Sequence, residues 1–295
     1  MKRLLSGLLV AALAATVVGG CTPTVPPGPT PPATAAPVPT ETTFPATTTP
    51  PPVVSTQPVP LKVYFAFNEK MQPAARTAPA GTKAVLKTAL ESLLAGPTSS
   101  ESAGGLSTMI PKGTKLLGVS IAANVAVIDF NSKFASGGGS LSMFDRLAQV
   151  VYTATQFPGV EAVTFRLNGK TVKVFGGEGI VLDKPRTRKA CENETPAILV
   201  DDPAWRGTLA EGAKIRGTAN VFEGAFSIEI RDAGGALVFD EGVQATSGTG
   251  TRGTWSVTPS LPGAKAGVGS IRVFAASPKD GTPIDVIKIP VILEP

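Results

Sequence analysis

A long proline-rich tract limits where this chain can fold. Residues 22–60 contain 14 prolines and 11 threonines, with Glu41 as the sole charged residue, and their apolar residues follow neither a strand period nor a helix period. Such a segment buries too little surface to offset the entropy that ordering would cost. We therefore predict a semi-rigid, polyproline-like spacer, about 120 Å long when extended at roughly 3.1 Å per residue. Its composition is also typical of sugar-bearing stalks.

An export signal precedes this tract. Met1–Arg3 is cationic and Leu4–Val18 is mostly apolar, which is the layout of a signal peptide. The apolar run is too short to span a bilayer comfortably. We predict a signal peptide over residues 1–20.

The residues that follow the apolar run indicate a lipid anchor. Val18-Gly19-Gly20-Cys21 resembles a bacterial lipobox, although glycine at the middle position departs from the usual pattern. The resemblance implies cleavage between Gly20 and Cys21 and a diacylglycerol on the sulfur of Cys21. Several acyl chains on one residue anchor a protein stably, so we expect attachment to the cell membrane, on its extracytoplasmic face. A secreted protein with a stray cysteine is the alternative; in either case residues 21–60 form the linker.

Histidine is absent, and the chain has two cysteines. The lack of histidine removes the commonest general base and the commonest metal ligand. Because Cys21 is committed to the lipid, Cys191 has no intramolecular partner, and we expect a free thiol, with intermolecular pairing as the alternative. The motifs G-x-S-x-G and S-x-x-K do not occur. We therefore predict no enzyme activity, no metal and no cofactor.

Charge divides the folded part in two. Residues 61–188 hold 15 Lys and Arg against 8 Asp and Glu, a net charge of +7, whereas residues 189–295 hold 10 against 13, a net charge of −3. A basic domain is attracted to anionic lipid heads or anionic wall polymers. Nucleic acid is not expected as a partner, because no basic strip alternates with aromatic residues in this exported chain.

The first folded module is predicted over residues 61–188 as an α+β domain. Leu61–Phe67 alternates as a strand does, and Thr82–Leu94 has helical spacing. Two hairpins are centred on Ala123-Asn124 and Asn168-Gly169, of which the second is the stronger turn signal. Between them, a helix is predicted from Ser142 to just before Pro158, with a capping box between Ser142 and Asp145. The order β-α-β-β-α-β-β predicts a mixed sheet with two helices packed on it.

The second module is predicted over residues 196–295 as an all-β, immunoglobulin-like sandwich. Short alternating runs separated by glycine-rich turns give six or seven strands and no convincing helix. Trp255 and Phe274 are expected in the core. Gly248–Gly253 matches the spacing of a dinucleotide-binding loop, but a strand follows it instead of a helix, so we predict a hairpin turn.

Both modules resemble known families. Ala148–Val160, with Ile110–Leu117 before it and Leu167–Lys170 after it, is similar to the GerMN domain, the sporulation and spore-germination module. Gly217–Ile230 and Arg252–Val257, with later segments, resemble the immunoglobulin-like domain of bacterial spore germination. The pairing behind a lipobox resembles an arrangement found in Gram-positive bacteria, and it implies an envelope lipoprotein. The resemblance supplies no catalytic residues.

One run of the first module is a candidate ligand site. Helical spacing places Tyr152 and Gln156 on a shared face, where they could meet a ligand together with Thr155. The alternative is that Tyr152 closes the edge of the core and Gln156 bonds backbone groups near the helix end. The adjacent carboxylates Asp201-Asp202 and Asp240-Glu241 are poorly placed for joint catalysis, because neighbours on a strand point to opposite faces.

These patterns predict a non-enzymatic lipoprotein that binds peptidoglycan, an anionic wall polymer or an envelope protein, the last docking on an edge of the immunoglobulin-like sheet. A peptidoglycan-processing enzyme that uses carboxylates is one alternative. A solute-capturing lipoprotein is another, and it needs a deep pocket between the modules. Because the connecting segment 186–197 is short and charged, we expect a modest interface with little room for such a cleft.

Overall fold

The computed structural model describes residue 28, residues 57–177 and residues 179–295. The predicted signal peptide, the predicted cleavage site between Gly20 and Cys21, and most of the predicted linker lie outside the described residues. Residues 52–295 form one compact unit that contains both folded modules. None of the described helices is long and apolar enough to cross a membrane.

The first module is an α+β domain, as predicted. Its elements are β1 (Val59–Phe67), β2 (Lys70–Ala78), α1 (Val85–Ala95), α2 (Ser99–Ala103), β3 (Leu116–Ala122), β4 (Val125–Phe130), α3 (Ser140–Ala154), β5 (Ala162–Leu167), β6 (Lys170–Thr171), β7 (Val174–Phe175), β8 (Ile180–Val181) and β9 (Arg186–Thr187). Strands β1 and β2 form a separate hairpin. The main sheet has the order β3-β4-β5-β6, with β9 also paired to β5. It is mixed, because α3 carries the chain from β4 to a parallel β5.

Aromatic packing joins the 3₁₀ turn Ser132–Ala135, which precedes α3, to strands β4, β5 and β7. The ring of Phe134 lies between those of Phe130, Phe165 and Phe175, with centroid distances of 4.4, 5.9 and 5.3 Å. All four side chains are almost completely buried. Clusters of this kind supply much of the stability of a small core.

The structure corrects several element boundaries. Strand β2 was not predicted, since its sequence has no clear alternation and contains Pro73. The first helix begins at Val85 instead of Thr82. Helix α3 begins at Ser140, and its N-cap is Gly139, which has no side chain to cap the helix. The capping box predicted between Ser142 and Asp145 was wrong, because Asp145 is buried in the protein and accepts no hydrogen bond among the described residues.

The second module is an all-β sandwich, as predicted. Its strands are β10 (Ile198–Asp202), β11 (Thr208–Ala210), β12 (Ile215–Ala219), β13 (Ala225–Arg231), β14 (Leu237–Gln244), β15 (Gly253–Val257), β16 (Gly267–Ala276) and β17 (Pro283–Glu294). One sheet has the order β10-β12-β15 and the other the order β11-β17-β16-β13-β14. Alternating residues of both sheets face inward and form the core.

Two predictions for this module were wrong. Phe274 lies half-exposed on the outer face of its sheet, where the guanidinium of Arg272 stacks 4.2 Å from the ring centroid; Trp255, in contrast, is buried as expected. Gly248–Gly253 spans the end of the connection from β14 to β15 and the first residue of β15, and these two strands belong to different sheets. It is therefore a crossover between sheets and not a hairpin turn, and a strand follows it, as predicted.

The two modules pack directly on one another. Trp205, just after β10, forms a parallel β-bridge with Ala74 at the open edge of β2, and its ring lies 5.3 Å from that of Phe67. The connecting segment forms a 3₁₀ turn at Lys189–Glu194, in which Cys191 is buried as a free thiol. Backbone pairing and an aromatic contact therefore cross the boundary between the modules.

Candidate functional site

Helix α3 holds the open edge of β1 in place with side chains instead of a neighbouring strand. The Gln149 amide nitrogen donates to the carbonyl oxygen of Tyr64 at 3.0 Å, and the Thr153 hydroxyl accepts from the Tyr64 amide at 3.1 Å. One turn later, the Gln156 amide bonds both backbone groups of Lys62, at 2.7 and 2.6 Å. Gln149 and Thr153 lie four residues apart and so share one face of α3, and Gln156 follows just beyond the end of the helix at Ala154.

This arrangement directs two side chains of β1 toward the second module. They join a cluster at the boundary, which we call the junction cluster and which consists of Lys62, Tyr64, Tyr152, Thr155, Arg188 and Asp201. Asp201 is its centre: the Lys62 ammonium lies 2.8 Å from one carboxylate oxygen, and the Tyr64 hydroxyl donates to the other. Arg188 lies 3.9 Å from that second oxygen. Lys62 and Tyr64 of the first module, together with Arg188 at the start of the connecting segment, therefore bind the carboxylate of Asp201 in the second module.

Arg188 is fixed by the first module before it meets Asp201. Its Nε donates to the Thr155 hydroxyl at 2.8 Å, and one Nη donates to the carbonyl oxygen of Tyr152 at 3.2 Å. Its guanidinium carbon lies 4.6 Å from the ring centroid of Tyr152 and 5.4 Å from that of Tyr64. Stacking of a cation on aromatic faces is favourable, most of all where water is excluded.

The pKa values follow from this environment. Burial and the charge of Asp201 raise the pKa of Tyr64 well above its ordinary value, and burial raises the pKa of Tyr152 to about 12. Burial alone would raise the pKa of Asp201, but the positive charges of Lys62 and Arg188 hold it below its usual range. At neutral pH the cluster therefore contains a paired carboxylate and two protonated phenols, an arrangement suited to holding surfaces together rather than to moving protons.

Two clefts flank the junction cluster. The larger, about 1080 Å³, is lined by both modules and includes Lys62, Arg76, Gln156, Asp202 and Arg206. The second, about 710 Å³, is lined by Lys62, Arg188 and Asp201 together with strands of the second module. The expectation of little room for a cleft was therefore wrong. Residues of both modules therefore line each of the two clefts.

The residues predicted to bind a ligand all have partners within the protein. Tyr152 is buried and packs against Arg188 and Tyr64. The Thr155 hydroxyl donates to the carbonyl oxygen of Val151 at 2.7 Å and accepts from Arg188. Gln156 bonds the backbone of β1, and it alone of the three lines the larger cleft. A ligand-binding role for these three residues stays a prediction.

The paired carboxylates are separated, as expected. Asp201 joins the junction cluster, whereas Asp202 forms an ion pair with Arg216 at 2.7 Å. Asp240 and Glu241 are exposed on β14. In residues 57–177 and 179–295, no three acidic or cysteine side chains come close enough to hold a metal ion.

Sequence reasoning missed Lys62, Tyr64 and Arg188. Lys62 and Tyr64 alternate with the apolar residues of β1, a pattern that also fits ordinary solvent-facing positions. The one available signal was Asp201 directly after the apolar run Ile198–Val200, because a carboxylate beside buried residues needs a cation.

The fold and the junction define a class: a protein with an α+β module packed on an immunoglobulin-like sandwich. Residues 62–173 match the family described as sporulation and spore germination, and residues 197–282 match the immunoglobulin-like domain of bacterial spore germination. The first module therefore contains a domain of the first family, and the sandwich contains a domain of the second. Both are families of germination-related domains and not known enzyme families.

Solved structures are similar to parts of the chain. The first GerMN domain of the sporulation protein GerM from Bacillus subtilis is 26% identical, with a TM-score of 0.37, over 44% of this chain and 98% of that one. The tandem GerMN domains of the same protein are 17% identical, with a TM-score of 0.40, over 63% of this chain and 60% of that one. No curated protein sequence matches this chain.

Proposed function

We propose that this protein is an exported, non-enzymatic lipoprotein of the cell envelope, anchored through Cys21, which binds an anionic wall polymer or peptidoglycan in the cleft between its modules. The lipobox-like sequence and the spacer support the anchor. The fixed junction supports the binding role, because a concave surface shared by two modules keeps its shape only if the modules are held together.

The charge of the larger cleft is the observation that carries the proposal. Three cations line it, Lys62, Arg76 and Arg206, against the single carboxylate of Asp202. Lys62 and Arg76 already have acidic partners, in Asp201 and Glu101. The guanidinium of Arg206 is exposed and makes no ion pair among the described residues. Arg206 therefore offers a bidentate donor for phosphate or carboxylate groups of a polymer.

Co-sedimentation with purified cell walls tests the binding. We expect the chain to sediment with the walls at low salt and to be released as the salt concentration rises. Arg206→Glu should weaken binding, whereas Lys214→Glu, the same charge change at an exposed residue outside the cleft, should not. Equal binding by both variants contradicts the cleft as the site. Release of muropeptides from the walls contradicts the non-enzymatic role and favours an enzyme that uses carboxylates.

The anchor has its own test. In cells fed a labelled fatty acid, the wild-type chain should carry the label and remain with the membrane, whereas Cys21→Ser should carry none and keep its signal peptide. A Cys21→Ser chain that is processed and retained normally would contradict the lipid anchor.

The cleft volume also favours a second candidate, the capture of a small solute. A cleft of about 1080 Å³ is as large as many small-molecule sites. Thermal stabilisation of residues 52–295 by one compound of a metabolite panel, abolished by a substitution in the cleft, would support this role over polymer binding.

A further inference from the structure

The free edge of β3 carries a second, separate surface. β3 pairs only with β4, so its other edge has no strand partner among the described residues. Val119 and Ile121 lie opposite Ile128 and Ala126 and point toward the core side of the sheet. Yet Leu117 and Ile121 are 51% and 52% exposed. An unpaired strand with an apolar stripe is a ready template for another strand.

An apolar groove runs beside this strand. Leu117, Val119 and Ile121 form one wall, and Val85 and Phe157 contribute to the other; we call this the β3 groove. Its volume is about 620 Å³. It lies on the first module alone and shares only Val85 and Phe157 with the larger cleft at the junction.

The charged residues of the groove are all basic. Lys83 and Lys87 line it, and no acidic residue does. Lys87 also faces Glu91 at 3.7 Å, but both side chains are largely exposed, and an exposed pair of this kind contributes little. A partner whose apolar side chains fill the groove would therefore gain from carboxylates at its rim.

We propose that the β3 groove binds an extended, acidic peptide segment of another extracytoplasmic protein, which adds to the sheet as a strand beside β3. Alternate apolar side chains of the segment pack against Leu117, Val119 and Ile121, while its carboxylates meet Lys83 and Lys87. Main-chain hydrogen bonds to the open edge supply affinity, and the alternating side chains supply specificity. The partner's location rests on the proposed export of the chain, but the binding itself does not.

Other occupants fit the groove less well. Lipid chains and wall polymers offer no row of backbone donors and acceptors to pair with the strand edge. A second copy of the chain would bring two sets of lysines together, and like charges oppose such a contact. The linker of this chain is rich in proline, which lacks the amide hydrogen that a strand needs, and Glu41 is its sole acidic residue.

The test uses residues 52–295, which form a compact unit containing both cores. The probe is a fluorescent nine-residue peptide in which valine and glutamate alternate, and the control peptide has lysine in place of glutamate. We expect fluorescence anisotropy to show salt-sensitive binding of the acidic peptide only. Ile121→Asp should weaken it at least about tenfold, the usual effect of losing a central contact. Val268→Asp, at a residue of matched 53% exposure in the second module, should leave it unchanged.

Hydrogen exchange locates the bound peptide. Backbone amides within Leu116–Ala122 should become protected when the acidic peptide binds, and those of the exposed strand β14 should not. Protection elsewhere, equal binding of the lysine peptide, equal affinity of the two variants, or no binding at all would overturn the proposal. Self-association of the chain that Ile121→Asp abolishes would assign the groove to a second copy instead.

This proposal and the polymer-binding proposal fail separately. Ile121→Asp should sediment with cell walls as the wild type does, and Arg206→Glu should bind the acidic peptide as the wild type does. Loss of both activities in either variant would contradict two independent surfaces.

Discussion

At the scale of single residues, Asp145 is a buried carboxylate that lacks hydrogen bonds among the described residues. Its carboxylate oxygens are buried and have no hydrogen-bond partner among the described residues. Burial, followed by the nearby charge of Glu194, raises its pKa to about 6, with Lys70 opposing and Glu69 adding a smaller effect in the same direction. The folded state therefore holds this proton more tightly than the unfolded chain does, and stability falls as the pH rises from about 4 through 6.

Asp145→Asn should remove this penalty. At pH 7.5 we expect the free energy of unfolding to increase by roughly 1–3 kcal/mol, because a neutral amide replaces an ionised carboxylate. At pH 4 the wild-type side chain is itself protonated, and the difference should vanish. Urea denaturation at both pH values measures this effect, with the exposed Asp183→Asn as the control. A variant that is no more stable than the wild type at pH 7.5 would show that the charge is compensated.

Adjacent aspartates at the junction offer a matched comparison. Asp201→Asn leaves Lys62 and Arg188 without their counter-charge, and we expect a loss of about 1–3 kcal/mol of stability. Asp202→Asn breaks a more exposed pair with Arg216 and should cost less than about 1 kcal/mol. The pKa of Asp201 is lower in the folded state than in the unfolded chain. The ionised carboxylate therefore stabilises the fold at pH values above its ordinary pKa, and this contribution is lost as the pH falls through the lowered pKa. The difference in the free energy of unfolding between Asp201→Asn and Asp202→Asn, measured by urea denaturation, should therefore become smaller at acidic pH.

At the scale of elements, α3 acts as the missing neighbour of β1. Thr153→Val keeps the shape of the side chain but removes the acceptor for the buried amide of Tyr64. An unsatisfied buried amide costs about 1–3 kcal/mol. Thr164→Val, on the half-exposed face of β5, should change stability by less than about 0.5 kcal/mol. The shift in the denaturant midpoint, at an unchanged slope of the transition, measures the stability change of each variant. Equal losses of stability in Thr153→Val and Thr164→Val would mean that the helix does not support the strand in this way.

Some helices and strands could be predicted from the sequence and others could not. The alternation of β4 was readable because its residues are buried and half-buried in turn. The apolar spacing of β1 and α3 was also readable, but it did not show that both elements are buried on more than one side. Strand β2 was not readable, because its backbone pairs with β1 on one side and with Trp205 on the other, while its sequence lacks a strand's usual composition. The junction cluster depends on contacts more than a hundred residues apart, between Tyr64 and Asp201 and between Tyr64 and Arg188. No local pattern encodes such a contact.

At the scale of the whole molecule, the close fit of Trp205 predicts joint unfolding of the modules. A Cβ at Gly104 would lie 2.6 Å from the Trp205 ring, so the ring occupies space that only glycine leaves open. Calorimetry of residues 52–295 should therefore show one transition. Trp205→Ala leaves a cavity worth about 3–5 kcal/mol and should separate the melting of the two modules. Two transitions in the wild type would mean that the modules are thermodynamically independent.

The burial of Cys191 has a practical consequence. Burial raises the pKa of its thiol to about 11, so in the closed molecule it is both shielded and almost entirely uncharged. In a chain without residue 21 it is the sole cysteine. The rate at which an alkylating reagent modifies this thiol then measures how often the connecting segment opens and exposes Cys191. No added label is needed.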